Sequence, residues 1–381
     1  MRIVIVTDSF KGSLTSLEAG LSVKRGFAEV FRDAEISVFS IADGGEGTVD
    51  ALTDGGRGEK VAVKVMGPLG ETVTAEYGIL SNGCAVIEMA QAAGLPLVPT
   101  DKRDPMRTTT YGVGELILHA LERGCRRFIL GIGGSATNDG GEGMLAALGY
   151  RFLDCDGDGI PFGCGGLSRL WRIDASGTDP RLSECAFRVA CDVTNPLLGE
   201  SGCSAVFAPQ KGAVDTDIPV MDNILAAYAE IVKRDVNADA DTSFPGAGAA
   251  GGLGFALKYF LNADLERGCP MIMRETGLSD QIKVAGLVIT GEGRLDAQSV
   301  MGKVPASVAM EAGKYGVPVI AFGGCIGEGA VRLNDCGVCA YFPILQKPCT
   351  IAEAMDRDTA AHNVRLTAEQ AARLIRAMRT K

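Results

Sequence analysis

The sequence predicts an α/β protein of two domains, one built from both chain ends and a second, mixed α/β domain inserted in it. Three observations carry this. A chain of 381 residues divided by roughly 150 per domain gives between two and three. Apolar runs alternate with helical periodicity near both ends, the rhythm of parallel βαβ units. Between them, residues 61–90 alternate with period two and carry hairpin turn signals, as an antiparallel meander does.

The first strand, Met1–Val6, runs into Thr7-Asp8-Ser9. Thr15-Ser-Leu-Glu18 has the form of a capping box, and Val23, Phe27, Val30 and Phe31 follow at helical spacing. A second strand, Ile36–Ile41, ends in Ala42-Asp-Gly-Gly-Glu-Gly47 before another helical stretch. The meander comprises Val61–Met66, Thr72–Tyr77 and Ala85–Met89, separated by Gly67-Pro68, Gly70 and Asn82-Gly83. Val113, Leu116, Ile117, Ala120 and Leu121 define one face of a helix over 113–122, with His119 off that face. A buried strand, Arg127–Ile132, is followed by mixed elements to about residue 280. Toward the C-terminus, Val284–Thr290 runs into Gly291-Glu-Gly293 and Val317–Phe322 into Gly323-Gly324, each read as a strand ending in a glycine loop. The expected boundaries place 1–65 and 283–381 in one domain and 66–282 in the other.

Composition narrows the function. Hydrophobic residues at 46% and charged residues at 22% exclude wholesale disorder. Fifty-one glycines are about 13% of the chain, against an average near 7%. A net charge of −10 with no basic tract argues against a nucleic-acid footprint or an anionic membrane surface. It does not exclude a phosphorylated ligand, whose charge backbone amides and a cation balance locally. Two histidines leave little room for His-based catalysis. No segment approaches the ~18 apolar residues of a membrane span, and the N-terminus reads as a strand, not a signal peptide. Twelve irregularly spaced cysteines suit a reducing cytoplasm. Cys336-Gly-Val-Cys339 has no second pair at zinc spacing.

Glycine loops recur at strand ends: Asp43–Gly47, Gly131–Gly141, Gly246–Gly254 and Gly291–Asp296. Ligands of open α/β sheets bind outside the carboxyl ends of the strands, and glycine lets backbone N–H groups approach phosphate closely. Several familiar motifs fail. Gly131-Ile-Gly-Gly-Ser-Ala136 lacks the ribose-binding acid of a dinucleotide site, which weighs against an NAD-dependent oxidoreductase. Asp154-Cys-Asp-Gly-Asp-Gly159 has Gly165 where a calcium loop needs glutamate and reads as a hairpin turn. Gly302-Lys303-Val304 is not a P-loop. A small-molecule sensor would not need so dense a set of acids.

The remaining set comprises the acids Asp8, Asp43, Glu46, Asp139, Asp192, Glu292 and Asp296, with the bases Lys11, Lys211 and Lys303. Phosphoryl transfer needs this inventory: hard oxygen ligands for Mg²⁺, lysines and amides for phosphate, and a carboxylate to take the acceptor proton. The bland alternative for each acid is a helix N-cap. Asp192 is the expected base, because it directly follows the apolar strand Phe187–Cys191 and precedes the turn at Asn195-Pro196. Glu292 and Asp296 share a segment with Lys303 and are the expected metal side. Lys11 and Lys303 are the catalytic cations. Asp8, Ser9, Asp43, Ser135, Asn138, Asp139, Asn195, Gly251, Gly252 and Arg294 complete the substrate- and phosphate-binding set.

Seven ordered strings closely resemble the type I bacterial glycerate kinase family. They are Asp8–Ser13, Ala42–Thr48, Thr108–Glu115, Gly133–Gly141, Cys191–Leu197, Pro245–Gly254 and Thr290–Asp296 with Gly302-Lys303. The resemblance runs from residue 1 to about 355. It implies a Rossmann-like domain and a second α/β domain with a cleft between them. It also implies phosphorylation of D-glycerate with ATP and Mg²⁺ as cofactors, in glyoxylate and sugar-acid metabolism. The product expected is 2-phosphoglycerate, with 3-phosphoglycerate the alternative. The expected partner is the small-molecule substrate alone, without nucleic acid or membrane, and a homo-oligomer stays open.

Overall fold

The computed structural model describes residues 1–379. Thirteen strands occur among them. The first five are β1 (Arg2–Thr7), β2 (Glu35–Ser40), β3 (Gly58–Met66), β4 (Thr72–Leu80) and β5 (Cys84–Glu88). Next come β6 (Arg127–Gly131), β7 (Arg151–Leu153), β8 (Arg172–Asp174), β9 (Ala186–Ala190) and β10 (Asp264–Glu266). The last are β11 (Leu287–Leu295), β12 (Val319–Ile326) and β13 (Val338–Pro343). The chain separates into two compact units, 1–43 with 50–54 and 269–381, and 44–49 with 55–268.

The first unit is built on a five-stranded sheet in the order β13-β12-β11-β1-β2, parallel throughout. Both faces are covered, so the strands read as continuous apolar runs. Ile3, Ile5, Leu287, Ile289 and Phe322 pack with Val23, Phe27, Val364 and Ala368 of two flanking helices. The helix Ser16–Ala28 starts at the expected capping box, with the Thr15 side chain accepting from the Glu18 N–H. It ends before Val30 and Phe31; these continue its apolar spacing from the turn that follows. The helix Arg357–Arg379 closes the unit.

The second unit holds a six-stranded sheet, β10-β9-β6-β5-β4-β3. β3, β4 and β5 form the expected antiparallel meander, and β5, β6, β9 and β10 are parallel. β7 and β8 make a separate hairpin. The helix Tyr111–Glu122 buries Val113, Leu116, Ile117, Ala120 and Leu121 as its periodicity requires. The expected boundary at residue 65 cuts β3, which pairs with β4 from Gly58 to Met66 and belongs here. Long-range pairing, invisible in the local pattern, moves that boundary. On the other side, 269–282 belongs to the first unit.

A second correction concerns Gly291–Asp296 and Gly323-Gly324, expected to be loops: β11 runs on to Leu295 and β12 to Ile326. Both continue their strands, with Glu292 opposite Gly323 and Leu295 opposite Ile326. Glycine is required there by close approach: a Cβ at Gly324 would lie 2.3 Å from the Gly293 carbonyl oxygen. All twelve cysteines are free. No described helix is long and apolar enough to cross a membrane.

Candidate active site

In the first sheet the chain leaves β1 toward β2 on one side and later adds β11, β12 and β13 on the other. The strand order therefore reverses between β1 and β11, the place where open parallel sheets bind ligands beyond their carboxyl ends. A cavity of about 460 Å³ lies there. Its polar wall carries Asp8, Asp43 and Glu292 against Lys11, Arg294 and Lys303, with Ser9 beside them. Its apolar wall comes from Phe10, Ile344, Leu345, Ile351, Ala354 and Met355.

Each polar residue has a local reason for its place. Asp8 extends β1, its N–H donating to the Gly291 carbonyl at 2.8 Å, and its Oδ1 accepts from the Ser9 N–H at 2.7 Å. Phe10 and Leu14 close a tight loop that lifts Lys11 into solvent. Glu292 lies within β11, 5% exposed, and its Oε1 accepts from the Ser299 hydroxyl. Lys303 precedes the helix Val304–Gly313. Burial, joined by Asp43, pushes the Asp8 carboxyl up to about 6; the Ser9 N–H, Lys11 and Lys303 oppose it. Burial also pushes Glu292 up to about 7, with Asp8 and Asp296 adding to the shift and Ser299 and Lys303 opposing it. Mutually repelling carboxylates with hard oxygen donors suit a divalent cation that keeps water and phosphate ligands. No cluster of three or more His, Cys, Asp or Glu side chains set to hold a metal occurs among the described residues. Such a cation would therefore draw part of its coordination from its substrate.

Asp296 does not line this cavity. Its Oδ2 pairs with Arg294 Nε at 2.9 Å and its Oδ1 accepts from the Gln298 N–H at 2.8 Å. That is a turn-capping role. Ser299 and the 344–355 wall were missed by the sequence reading. Thr350-Ile-Ala-Glu353, a capping box confirmed at the start of the short helix Ile351–Met355, was the legible signal.

In the second unit, the loop after β6 runs from Gly133 to Gly141. Gly251 and Gly252 back it: Gly251 accepts from the Gly140 N–H at 2.9 Å, and a Cβ there would meet the Thr137 carbonyl oxygen at 2.1 Å. Asn138 Nδ2 donates to Ser204 Oγ at 3.1 Å. Asp139 is fully buried and accepts from the Thr110 N–H at 2.8 Å and hydroxyl at 2.7 Å, and from Gly141 and Gly143. Burial raises its pKa against these bonds. Asp139 thus follows the capping alternative, tying the starts of the helices at Tyr111 and Glu142. Ser135 is 8% exposed, and only Gly133 and Gly134 reach the surface in this loop. The N–H groups of Gly134, Ser135, Thr137, Asn138 and Asp139 find no backbone acceptor among the described residues, and of these five only Gly134 is exposed.

Asp192 follows β9 after one residue, half-buried, with Oδ1 accepting from the Gly268 N–H at 3.3 Å. Asn195 donates to the Ser201 carbonyl at 2.8 Å and shapes the same loop. His119 Nδ1 lies 2.9 Å from the Tyr77 hydroxyl, a structural pairing. Lys211 points inward, 2% exposed, its Nζ donating to the Thr137 carbonyl at 2.6 Å.

This constellation agrees with what the chain is similar to. A family model described as the glycerate kinase family matches residues 3–376. The glycerate 2-kinase of Escherichia coli K12 is 49% identical over 93% of each chain. The glycerate kinase of Bacillus subtilis 168 is 46% identical over 100% of this chain and 99% of its own. A crystal structure from Salmonella typhimurium LT2, assigned as a glycerate kinase 2, superposes with a TM-score of 0.89 at 46% identity, each chain covered completely. The match spans both sheets and every motif that carries the site, and the chain belongs to the glycerate kinase family.

Proposed function

We propose that the protein transfers the γ-phosphoryl group of ATP to D-glycerate, with Mg²⁺, giving 2-phosphoglycerate. The observation that carries this is the cavity at the β1–β11 switch point, where three carboxylates face three cations beside an apolar wall. Its size and mixed lining suit a nucleotide, with phosphates at the polar end and the base on the apolar wall. Lys11, Lys303 and Arg294 would offset phosphate charge as it shifts toward the bridging oxygen. Glu292 and Asp8 would hold the cation, Asp8 taking the place expected of Asp296. The bound cation would supply charge neutralisation at the phosphates.

The Gly133–Gly141 loop, whose glycine tip at Gly133-Gly134 reaches the surface, suits a small anion and is assigned to the glycerate carboxylate. Asp192 remains the proposed base. An alcohol is a poor nucleophile at neutral pH, and a carboxylate positioned on its proton supplies roughly 10²–10⁴-fold. Similarity to the E. coli glycerate 2-kinase favours the 2-product.

The test is ADP release from ATP·Mg²⁺ with D-glycerate, with the phosphoglycerate isomer read by ³¹P NMR. Absence of D-glycerate-dependent ADP release refutes the activity, and a 3-phosphoglycerate signal refutes the regiochemistry alone. Asp192→Asn is expected to lose kcat by roughly 10²–10⁴-fold with the KM for ATP little changed. A variant that retains most of its kcat moves the base elsewhere.

A further inference from the structure

Glu292 is the most deeply buried acid lining the cavity, at 5% exposure. Taking a carboxylate out of water is expensive unless it is hydrogen-bonded. Little around it can serve. Its cross-strand neighbour on β12 is Gly323, which has no side chain, and Gly291 and Gly293 flank it along β11. Asp8 and Asp296 repel it. Arg294, two residues on along the same strand, is taken by Asp296 at 2.9 Å. Among the described residues the carboxylate has one hydrogen-bond donor, the Ser299 hydroxyl on Oε1.

The turn that carries Ser299 sets it for this contact. Ser299 is fully buried and lies outside the cavity lining. Its N–H donates to the Asp296 carbonyl at 3.1 Å, and its Oγ accepts from the Asp296 N–H at 3.0 Å. The Gln298 N–H, on Asp296 Oδ1 at 2.8 Å, ties the same turn from the other side. A serine hydroxyl owns one proton. With the Asp296 N–H occupying an Oγ lone pair, that proton is directed at Glu292. The other acceptor in reach, the Arg294 carbonyl, is farther off at 3.4 Å. One carboxylate oxygen is thereby held, and lone pairs remain for a second partner. A hydroxyl does this without bringing a counter-charge that would compete with a metal ion.

We propose that Ser299 is a positioning residue for the nucleotide's divalent cation, its hydroxyl holding Glu292 so that the carboxylate is presented to the metal ion in the cavity. This rests on the reading of Glu292 as a ligand of that cation. Ser299 itself touches neither metal nor nucleotide.

Ser299→Ala, Ser299→Thr, Glu292→Gln and the double variant Ser299→Ala with Glu292→Gln are compared with wild type. Each is melted thermally and titrated calorimetrically with ATP, once with Mg²⁺ and once with excess chelator. Ser299→Ala removes a single heavy atom and is expected to fold. Its affinity for ATP·Mg²⁺ should fall about 10- to 100-fold, the usual loss when the partner of a metal-bound side chain is removed. Its affinity for chelated ATP should stay within twofold of wild type. Ser299→Thr, which keeps the hydroxyl, should recover most of the loss. In the Glu292→Gln background the serine change should cost little more, because its target is already gone. A merely structural hydroxyl would lower the melting temperature and weaken both forms of ATP alike, or neither. The proposal is overturned by ATP·Mg²⁺ affinity within twofold of wild type in Ser299→Ala, or by equal loss with and without Mg²⁺. Failure of Ser299→Ala to fold, a folded Ser299→Thr no better than Ser299→Ala, or the full loss repeated in the Glu292→Gln background overturns it too. Glu292→Gln separates the two layers. If it leaves the gap between metal-bound and chelated ATP unmoved, Glu292 is not a metal ligand and both readings fall. If it narrows that gap while Ser299→Ala does not, Glu292 binds metal but Ser299 does not position it.

Discussion

Lys303 and Lys211 show how differently one residue type is used in this chain. Lys303 ends a glycine turn and precedes a helix, its side chain lining the cavity with Lys11 and Arg294. If Lys303 binds phosphate as proposed, Lys303→Ala removes a charged hydrogen bond, and kcat/KM for ATP should fall about 10- to 100-fold with the melting temperature unchanged. Wild-type kinetics in that variant would take Lys303 out of the site. Lys211 makes its prediction through pH. Its folded pKa, about 8, lies below its ordinary value of 10.5. Between these values the unfolded chain holds a proton that the folded one has lost, so stability rises with pH across that window and is lost again as pH falls through 8. The gain is on the order of 3 kcal/mol. Chemical denaturation of wild type and Lys211→Met at pH 7.5 and 10 should show the two converging as pH rises; parallel curves would mean an unshifted lysine. The sequence reading named Lys303 a catalytic cation and left Lys211 in the inventory of bases without a role. Nothing local distinguishes an outward from an inward lysine, because the carbonyl that captures Lys211 lies 74 positions away.

Elements with a local signature were legible, and elements defined by a neighbour were not. The capping box at Thr15, the stripe at 113–121 and the turns of the meander are written in consecutive residues, and each stands where expected. Glycine misled at β11 and β12, because the same residue that opens a loop also permits two strands to close on one another. Gly251 carries the element-scale prediction. At φ +69° its Cβ would sit 2.1 Å from the Thr137 carbonyl oxygen, a backbone atom with no freedom to retreat. Gly251→Ala should lower the melting temperature and raise the KM for D-glycerate, because the displaced backbone belongs to the β6 loop. Gly83→Ala is the control: φ is +78° there too, but nothing lies within 4 Å. It carries only left-handed strain, about 1–2 kcal/mol, and should leave kinetics untouched. Equal effects at both positions would show that strain, not the clash, is being measured.

At the scale of the whole chain, the two-unit plan was legible from length, strand rhythm and the central meander, and its exact seams were not. A unit assembled from both ends depends on β1 pairing with β11, nearly three hundred residues on, and that pairing also creates the switch point. Every residue lining the cavity belongs to this first unit. If the nucleotide binds there, its affinity does not depend on the acceptor. ATP·Mg²⁺ alone should then raise the melting temperature, and at free ligand ~100 times Kd the stabilisation is about 2.7 kcal/mol. D-Glycerate should be unnecessary for that shift. ATP with excess chelator should give a smaller one, because Asp8, Asp43 and Glu292 then meet phosphate charge with no cation between them. Glu292→Gln removes one of these acids and one proposed metal ligand together. It should weaken the ATP·Mg²⁺ shift and narrow the gap between chelated and metal-bound nucleotide. A shift that appears only with D-glycerate present, or one that Glu292→Gln leaves intact in both conditions, would place the nucleotide outside this cavity.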